Sequence, residues 1–290
     1  MSEAAESWTI GKVLRWAQDD FAKRGLSAPR LDAELLLGEC LGLSRVQLIM
    51  DSGRPLLPEE LSTYRELIKR RRTGEPIAYI LGEREFWGLK FRTDSRALIP
   101  RPDTETLVEV ALERTRGIET FGNALDLCTG SGCVAIALHK ERPTWRVIGS
   151  DLSEDALALA RENAIRLGAI WGLCWQASDL FESIPYANKF DLITANPPYI
   201  PSGEIPGLDA DIREFEPGMA LDGGSDGMRF VERISRGALD FLKPGAVLAM
   251  ELHHDQAQRT SELLESLGYV EVQRKKDYGG HERVVSARRA

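Results

Sequence analysis

The sequence predicts an α/β protein with a mostly parallel sheet, preceded by a small helical domain. Three observations lead there. Apolar residues recur every three to four positions through the first 75 residues, short apolar runs alternate with helical stretches beyond residue 98, and a glycine-rich turn follows the first of those runs. At 290 residues and 43% hydrophobic content the chain can build two packed cores, which excludes a disordered or fibrous protein.

Between residues 9 and 26 the apolar positions Ile10, Val13, Leu14, Ala17 and Phe21 fall on one face of an amphipathic helix. Pro29 opens a second helical segment carrying Leu31, Leu35 and Leu36. Pro58 opens a third through Leu61, Tyr64, Leu67 and Ile68, which Gly74 ends. Lys69, Arg70, Arg71 and Arg72 occupy its last turn, where cations suit the helix dipole. They read either as a solvated helix end or as a contact for an acidic or RNA-containing partner. Next, Tyr79-Ile80-Leu81 and Phe86-Trp87-Gly88-Leu89-Lys90-Phe91 read as two short strands about the turn Gly82-Glu83. The expected division is a helical domain at 1–75, a β-hairpin linker at 76–97 and an α/β domain over 98–290.

Strand-like runs follow at 124–127, 146–150, 173–177, 190–195 and 246–251, with helical stretches such as 153–167 and 228–242 between several of them. That alternation means βαβ units. Two further runs, 269–274 and 283–287, have only a short stretch with Lys-Asp-Tyr-Gly-Gly between them and make a closing antiparallel pair. The expectation is a Rossmann-like, seven-stranded, mostly parallel sheet with an antiparallel last strand.

Net charge is −8, and the first 75 residues hold 12 basic and 12 acidic groups, so the rest carries the whole excess. Such a balance argues against gripping a phosphate backbone by bulk charge. Cys40, Cys128, Cys133 and Cys174 form no C-x-x-C pair, and neither signal peptide nor long apolar run is evident, so free thiols in a cytoplasmic protein without membrane or metal are expected. His253-His254 lacks a third metal ligand at suitable spacing.

Asp126-Leu127-Cys128-Thr129-Gly130-Ser131-Gly132 follows the first strand and opens a helix, the place where a doubly wound sheet binds a nucleotide-like ligand. Glycines there let the backbone approach the ligand and adopt positive φ. Asp151 ends the next strand, placed to accept from ribose hydroxyls. Gly130-Ser131-Gly132-Cys133-Val134-Ala135 also fits the relaxed G-x-G-x-x-A pattern, so this turn alone serves NAD and S-adenosylmethionine equally. Asp179-Leu180-Phe181 follows the third strand, either as an adenine-binding corner or as a capping Asp before a core Phe.

Asn196-Pro197-Pro198-Tyr199 leaves the fourth strand at the same sheet edge. A planar nitrogen has its lone pair delocalised and must be held and polarised before it takes a methyl group. The Asn196 side-chain oxygen and the Pro197 carbonyl can each accept one N–H of an NH₂ group, the prolines stiffen the pair, and Tyr199 can stack on the flat amide or base. Glu251, last in the fifth strand, faces the same edge as a weaker candidate.

This combination resembles the class I S-adenosylmethionine-dependent amino-methyltransferases. Further segments are similar to the peptide chain release factor glutamine methyltransferases of the HemK/PrmC type. They are Pro76 to Gly82 with Phe86-Trp87-Gly88, Ile99-Pro100-Arg101-Pro102-Asp103-Thr104-Glu105, Phe215-Glu216-Pro217 with Ala220-Leu221, and Lys276-Asp277-Tyr278 with Glu282-Arg283. The resemblance implies S-adenosyl-L-methionine as cofactor and, as partner, a class 1 release factor whose Gly-Gly-Gln loop is methylated on the glutamine amide. It implies a helical N-terminal domain that helps engage that factor, and a monomer is expected. Carried over, cofactor binding falls to Cys128, Thr129, Gly130, Ser131, Gly132, Asp151, Asp179, Leu180, Phe181 and Asn196, and catalysis and amide binding to Asn196, Pro197, Pro198 and Tyr199. Leu98 to Arg101 would line the methyl end. Cys128 stands where the family pattern has Gly, and Leu180 where an aromatic is usual.

The main alternative is an amino-methyltransferase acting on adenine or guanine of DNA or RNA, which uses the same four residues on a flipped base but needs a basic groove. An NAD-linked oxidoreductase accounts for the glycine turn and Asp151 and leaves Asn196 to Tyr199 idle. A nucleotide-binding module without chemistry is the fourth reading.

Overall fold

A computed structural model describes residues 7–118, 120–185, 187 and 189–290. The chain packs into two units: residues up to Gly82 together with Ala210–Phe215, and Glu83–Asp209 with Glu216–Ala290.

The first unit is helical. Thr9 caps α1 (Ile10–Lys23) by accepting the Lys12 N–H, and proline begins both α2 (Pro29–Leu41) and α4 (Pro58–Arg72). Between them lies α3 (Arg45–Met50), six residues held at the start by a Ser44–Gln47 capping box and too short to show a period. Ile10, Val13, Phe21, Leu36, Leu37, Leu48, Tyr64 and Ile68 form the core. Their burial matches the three-and-four spacing of the first helix.

The expected hairpin about Gly82-Glu83 is corrected here. The run Tyr79-Ile80-Leu81 is not a strand but part of a one-turn helix, α5 (Ile77–Leu81), begun after Pro76 and ended by Gly82 at φ 72°. Ala78, Tyr79 and Ile80 are buried consecutively, a pattern that a half-exposed strand excludes. The cations at 69–72 are each paired within the unit: Lys69 with Glu66, Arg70 with Glu75, Arg71 with Asp32 and Arg72 with Asp20. Arg70 also donates to the carbonyls of Tyr79 and Ile80, so the cluster serves the turn into α5.

The second unit begins with a hairpin, β1 (Glu83–Phe86) and β2 (Leu89–Arg92). Its two-residue turn, Trp87-Gly88, has both φ positive, 53° and 66°, the twist that matches paired strands. Phe86 and Phe91 are buried edge-to-face at 6.0 Å in the core of this unit. After α6 (Glu105–Arg114) come β3 (Asn123–Leu127), α7 (Cys133–Glu141), β4 (Arg146–Asp151), α8 (Glu154–Arg166), β5 (Leu173–Ala177) and β6 (Phe190–Ala195). The chain then gives α9 (Ala210–Phe215) to the helical unit and returns as α10 (Arg229–Phe241), β7 (Leu242–Glu251), α11 (Ala257–Ser266), β8 (Tyr269–Lys276) and β9 (Glu282–Arg289).

The strands order as β5-β4-β3-β6-β7-β9-β8. The first five are parallel and β9 runs antiparallel to both its neighbours. This is the expected seven-stranded Rossmann-like sheet. The connections leave β3 in opposite directions toward β4 and β6, which creates a switch point at the carboxyl ends of β3 and β6. Among the described residues no helix is long and apolar enough to cross a membrane.

Candidate functional site

Leu127 at the end of β3 lies beside Ala195 at the end of β6, so the turn at 128–132 and the segment at 196–199 leave the sheet side by side. A cavity of about 360 Å³ opens there. That is within the range of small-ligand sites, about 300–1,000 Å³. Its walls include Cys128, Thr129, Gly130 and Ser131 after β3, Asp151 and Leu152 after β4, Asp179 and Leu180 after β5, and Asn196 and Pro198 after β6.

The glycine turn alternates left-handed and ordinary backbone, with φ at 55° for Cys128, 54° for Gly130 and 80° for Gly132. The family position held by Cys128 therefore does require the conformation that glycine adopts without strain. Three side chains tie the turn. Asp126, buried, accepts from the Thr129 hydroxyl (2.6 Å) and from Thr194 (2.8 Å). Burial pushes its carboxyl up to about 7 against those hydrogen bonds. Asp151 accepts the Gly130 N–H at 2.8 Å and the Ser153 N–H at 2.9 Å, one on each oxygen. The Leu152 N–H is a third backbone partner, and the carboxylate still has acceptor capacity for a ligand hydroxyl, so Asp151 both shapes the turn and borders the cavity. Asn163 on α8 donates to the Ser131 carbonyl at 3.0 Å.

Gly132 does not border the cavity. It caps α7, and an added Cβ there would lie 2.8 Å from Trp175. Phe181 also misses the cavity: it stacks on Phe241 at 4.9 Å in the sheet core, because Leu180 before it takes a left-handed φ of 52°. The aromatic wall is instead Phe230, on the first turn of α10, flanked by Arg229 and Arg233. Arg233 pairs with Asp179 at 3.0 Å, so that carboxylate meets the cavity already partnered. Nothing local marks Phe230 in the sequence; only the return of α10 across the sheet edge brings it there.

At the other end of the cavity, Asn196 donates from Nδ2 to the Thr104 hydroxyl at 3.2 Å. Among the described residues its Oδ1 has no donor, so the acceptor end of the amide is available. Pro197 and Pro198 are buried. Tyr199 lies outside the cavity wall, with its hydroxyl donating to Glu251 Oε1 (3.2 Å) and its carbonyl accepting from Gln256 (3.0 Å). Gly223 and Gly227 press on its backbone, and a Cβ on Gly227 would sit 2.3 Å from the Tyr199 carbonyl.

Leu98, Ile99, Pro100 and Arg101 do border the cavity. Glu216 holds them by accepting the Ile99 N–H at 3.1 Å and the Arg101 guanidinium at 2.5 Å. Thr104 and Met219 border the cavity and Glu216 stands behind its Ile99–Arg101 wall; no role was expected for any of the three, although Thr104 and Glu216 lie in the segments that carry the resemblance. Glu251 is fully buried at the end of β7, and desolvation pushes its carboxyl up to about 7, opposed by Thr104, Arg283 and Tyr199.

A family model described as PrmC N-terminal domain matches residues 12–82, and one described as methyltransferase domain matches residues 120–281. A release factor glutamine methyltransferase of Geobacter sulfurreducens is 43% identical over 288 residues, 99% of each chain. One of Vibrio cholerae is 41% identical over 279 residues, 96% of each chain. A solved methyltransferase from Pyrococcus furiosus shares the fold, with TM-score 0.52, 19% identity, and coverage of 79% of this chain and 99% of that one.

Proposed function

The chain belongs to the release factor glutamine methyltransferase family, and on that premise we propose that it methylates the side-chain amide nitrogen of the glutamine in a release factor Gly-Gly-Gln loop. S-adenosyl-L-methionine is the donor in this reading, and the cytoplasm is its place of action. The observation that carries the proposal is Asn196 at the cavity wall with its Nδ2 donating to Thr104, which leaves Oδ1 as the acceptor for a substrate amide in this reading.

The cavity residues fit the cofactor chemically. Asp151 offers lone pairs to ribose hydroxyls, the backbone at Gly130 is bare on the ligand side, and Leu152, Leu180 and Phe230 supply apolar walls for a flat ring. When bound, S-adenosylmethionine supplies a methyl group on a positively charged sulfur that departs with the bonding electron pair.

The protein's contribution is placement. Asn196 Oδ1 and the Pro197 carbonyl accept the two N–H groups of the glutamine amide and withdraw it from solvent. Acceptors strengthen as positive charge grows on nitrogen, so they bind the transition state better than the ground state. No strong base is needed, because the amide proton turns acidic only as the methyl arrives and then passes to water. Tyr199 backs the segment, anchored by Glu251 and Gln256.

The test is methyl transfer from labelled S-adenosylmethionine to three substrates: intact release factor, the same factor with its loop glutamine changed to Ala, and nucleic acid. Label on the intact factor alone is expected. Label on nucleic acid alone would replace this reading with the base-modifying one.

A further inference from the structure

We infer that Glu251, as a carboxylate, is a positioning residue for methyl transfer, acting through the hydroxyls of Thr104 and Tyr199 to set which end of the Asn196 amide faces the substrate. The inference rests on the reaction proposed above and concerns a residue that does not border the cavity.

Glu251 is 1% exposed, and its Oε2 has no hydrogen-bond partner among the described residues. A buried carboxylate left half satisfied costs free energy, so its retention calls for an explanation. Its surroundings are specific. Tyr199, directly after the prolines, donates to Oε1 at 3.2 Å. The Thr104 hydroxyl favours the charged carboxylate, and Arg283 on β9 adds attraction. Asp103 opposes ionisation, while Cys133 on α7 feels the carboxylate as a neighbouring charge. His253 stands 6.3 Å from the Tyr199 ring, and Arg101 acts on the same tyrosine.

A hydroxyl carries one proton. If Thr104 turns it toward the unpartnered Oε2 of Glu251, its oxygen is left only to accept from Asn196, an arrangement that the Asn196 Nδ2 to Thr104 contact at 3.2 Å fits. Asn196 Oδ1 then faces the cavity as an acceptor. A protonated Glu251 becomes a donor, Thr104 is released to donate to Asn196, and the amide can turn its NH₂ to the substrate, where it repels another NH₂. Since the Glu251 carboxyl is pushed up to about 7, this exchange falls in the working pH range.

Glu251→Gln keeps the shape and reverses half the polarity. With release factor as substrate it is expected to lower kcat about ten- to a hundredfold, the usual effect of removing an outer-layer hydrogen-bond partner. Cofactor affinity should stay within about twofold, since the cofactor-side residues are untouched. In the wild type kcat should rise with pH through about 7; in Glu251→Gln that rise should vanish. Thr104→Ser keeps the hydroxyl and should retain most activity, whereas Thr104→Val should fall as far as Glu251→Gln, and combining Val with Gln should add little. Glu251→Gln with wild-type kcat and pH profile would overturn the inference, as would Thr104→Ser being as impaired as Thr104→Val. The Thr104 pair decides the matter if Glu251→Gln fails to bind cofactor. A wild-type enzyme that never methylates release factor would instead overturn the function proposed above.

Discussion

Cys128 is where backbone strain and composition meet. Its φ of 55° is left-handed, and its half-buried side chain borders the cavity near Asp126 and Asp151. A glycine there would relieve the backbone and lose the half-buried thiol, with a more flexible unfolded chain offsetting part of the gain. An alanine would lose the thiol and keep the strain. Cys128→Gly is therefore expected to be more stable than Cys128→Ala by about 1 kcal/mol, read as the difference in thermal midpoint. Equal midpoints, or the reverse order, would show that the turn relaxes around a Cβ. The position was legible as a departure from a glycine pattern, but its angle was not. The neighbouring misreading is similar in kind: Phe181 was an obvious aromatic beside Asp179, yet the left-handed Leu180 turns the chain so that Phe181 enters the core. A φ value of that sort leaves no mark in side-chain composition.

At the level of elements, the strands of the parallel sheet were legible because helices cover both faces, giving nearly continuous apolar runs such as 190–195. Their pairing was not. Gly149 on β4 lies opposite Trp175 on β5, and a Cβ on Gly149 would come within 2.4 Å of that ring. The indole occupies the space a side chain would take, and the same ring covers Gly132. Gly149→Ala should destabilise the sheet unit by about 1–3 kcal/mol through overpacking, measured by denaturant titration. An unchanged midpoint would mean the ring has room to move. The helix α5 was read as a strand because five residues show no period, and what decides it is Pro76 before and a left-handed Gly82 after. The hairpin was misplaced for a related reason: the run Phe86 to Phe91, read as one strand, turns back at Trp87-Gly88, so the hairpin closes over residues 83–92 and not about Gly82-Glu83. Phe91→Ala, which empties a fully buried site beneath that hairpin, should cost about 3–5 kcal/mol.

For the whole molecule, charge distribution and ionisation set the pH response. Asp126 and Glu251 both hold their protons more tightly when folded, each pushed up to about 7 by burial. Their contribution is therefore complete below the unfolded carboxyl range and declines as pH rises through 7. Half-buried, paired carboxylates such as Asp94 and Glu83 are lowered instead, and their losses fall at acid pH, outside this window. Stability should fall between pH 5 and 8. In Glu251→Gln, which cannot ionise, the fall should be smaller by up to about 3 kcal/mol. Parallel curves for the two proteins would show that Glu251 does not titrate there.

The assignment of chemistry was legible from four consecutive residues, Asn196 to Tyr199. What sequence could not supply was their support, because Thr104, Glu216 and Glu251 are 92 and 52 or more residues from the groups they hold. The clamp itself is tested most directly by Asn196→Ala in a single-turnover assay with release factor and saturating S-adenosylmethionine. Cofactor affinity should be little changed, while the methyl-transfer rate should fall about 10²- to 10³-fold, the loss expected for one preorganised group aimed at developing charge. Transfer at the wild-type rate with intact binding would contradict the account.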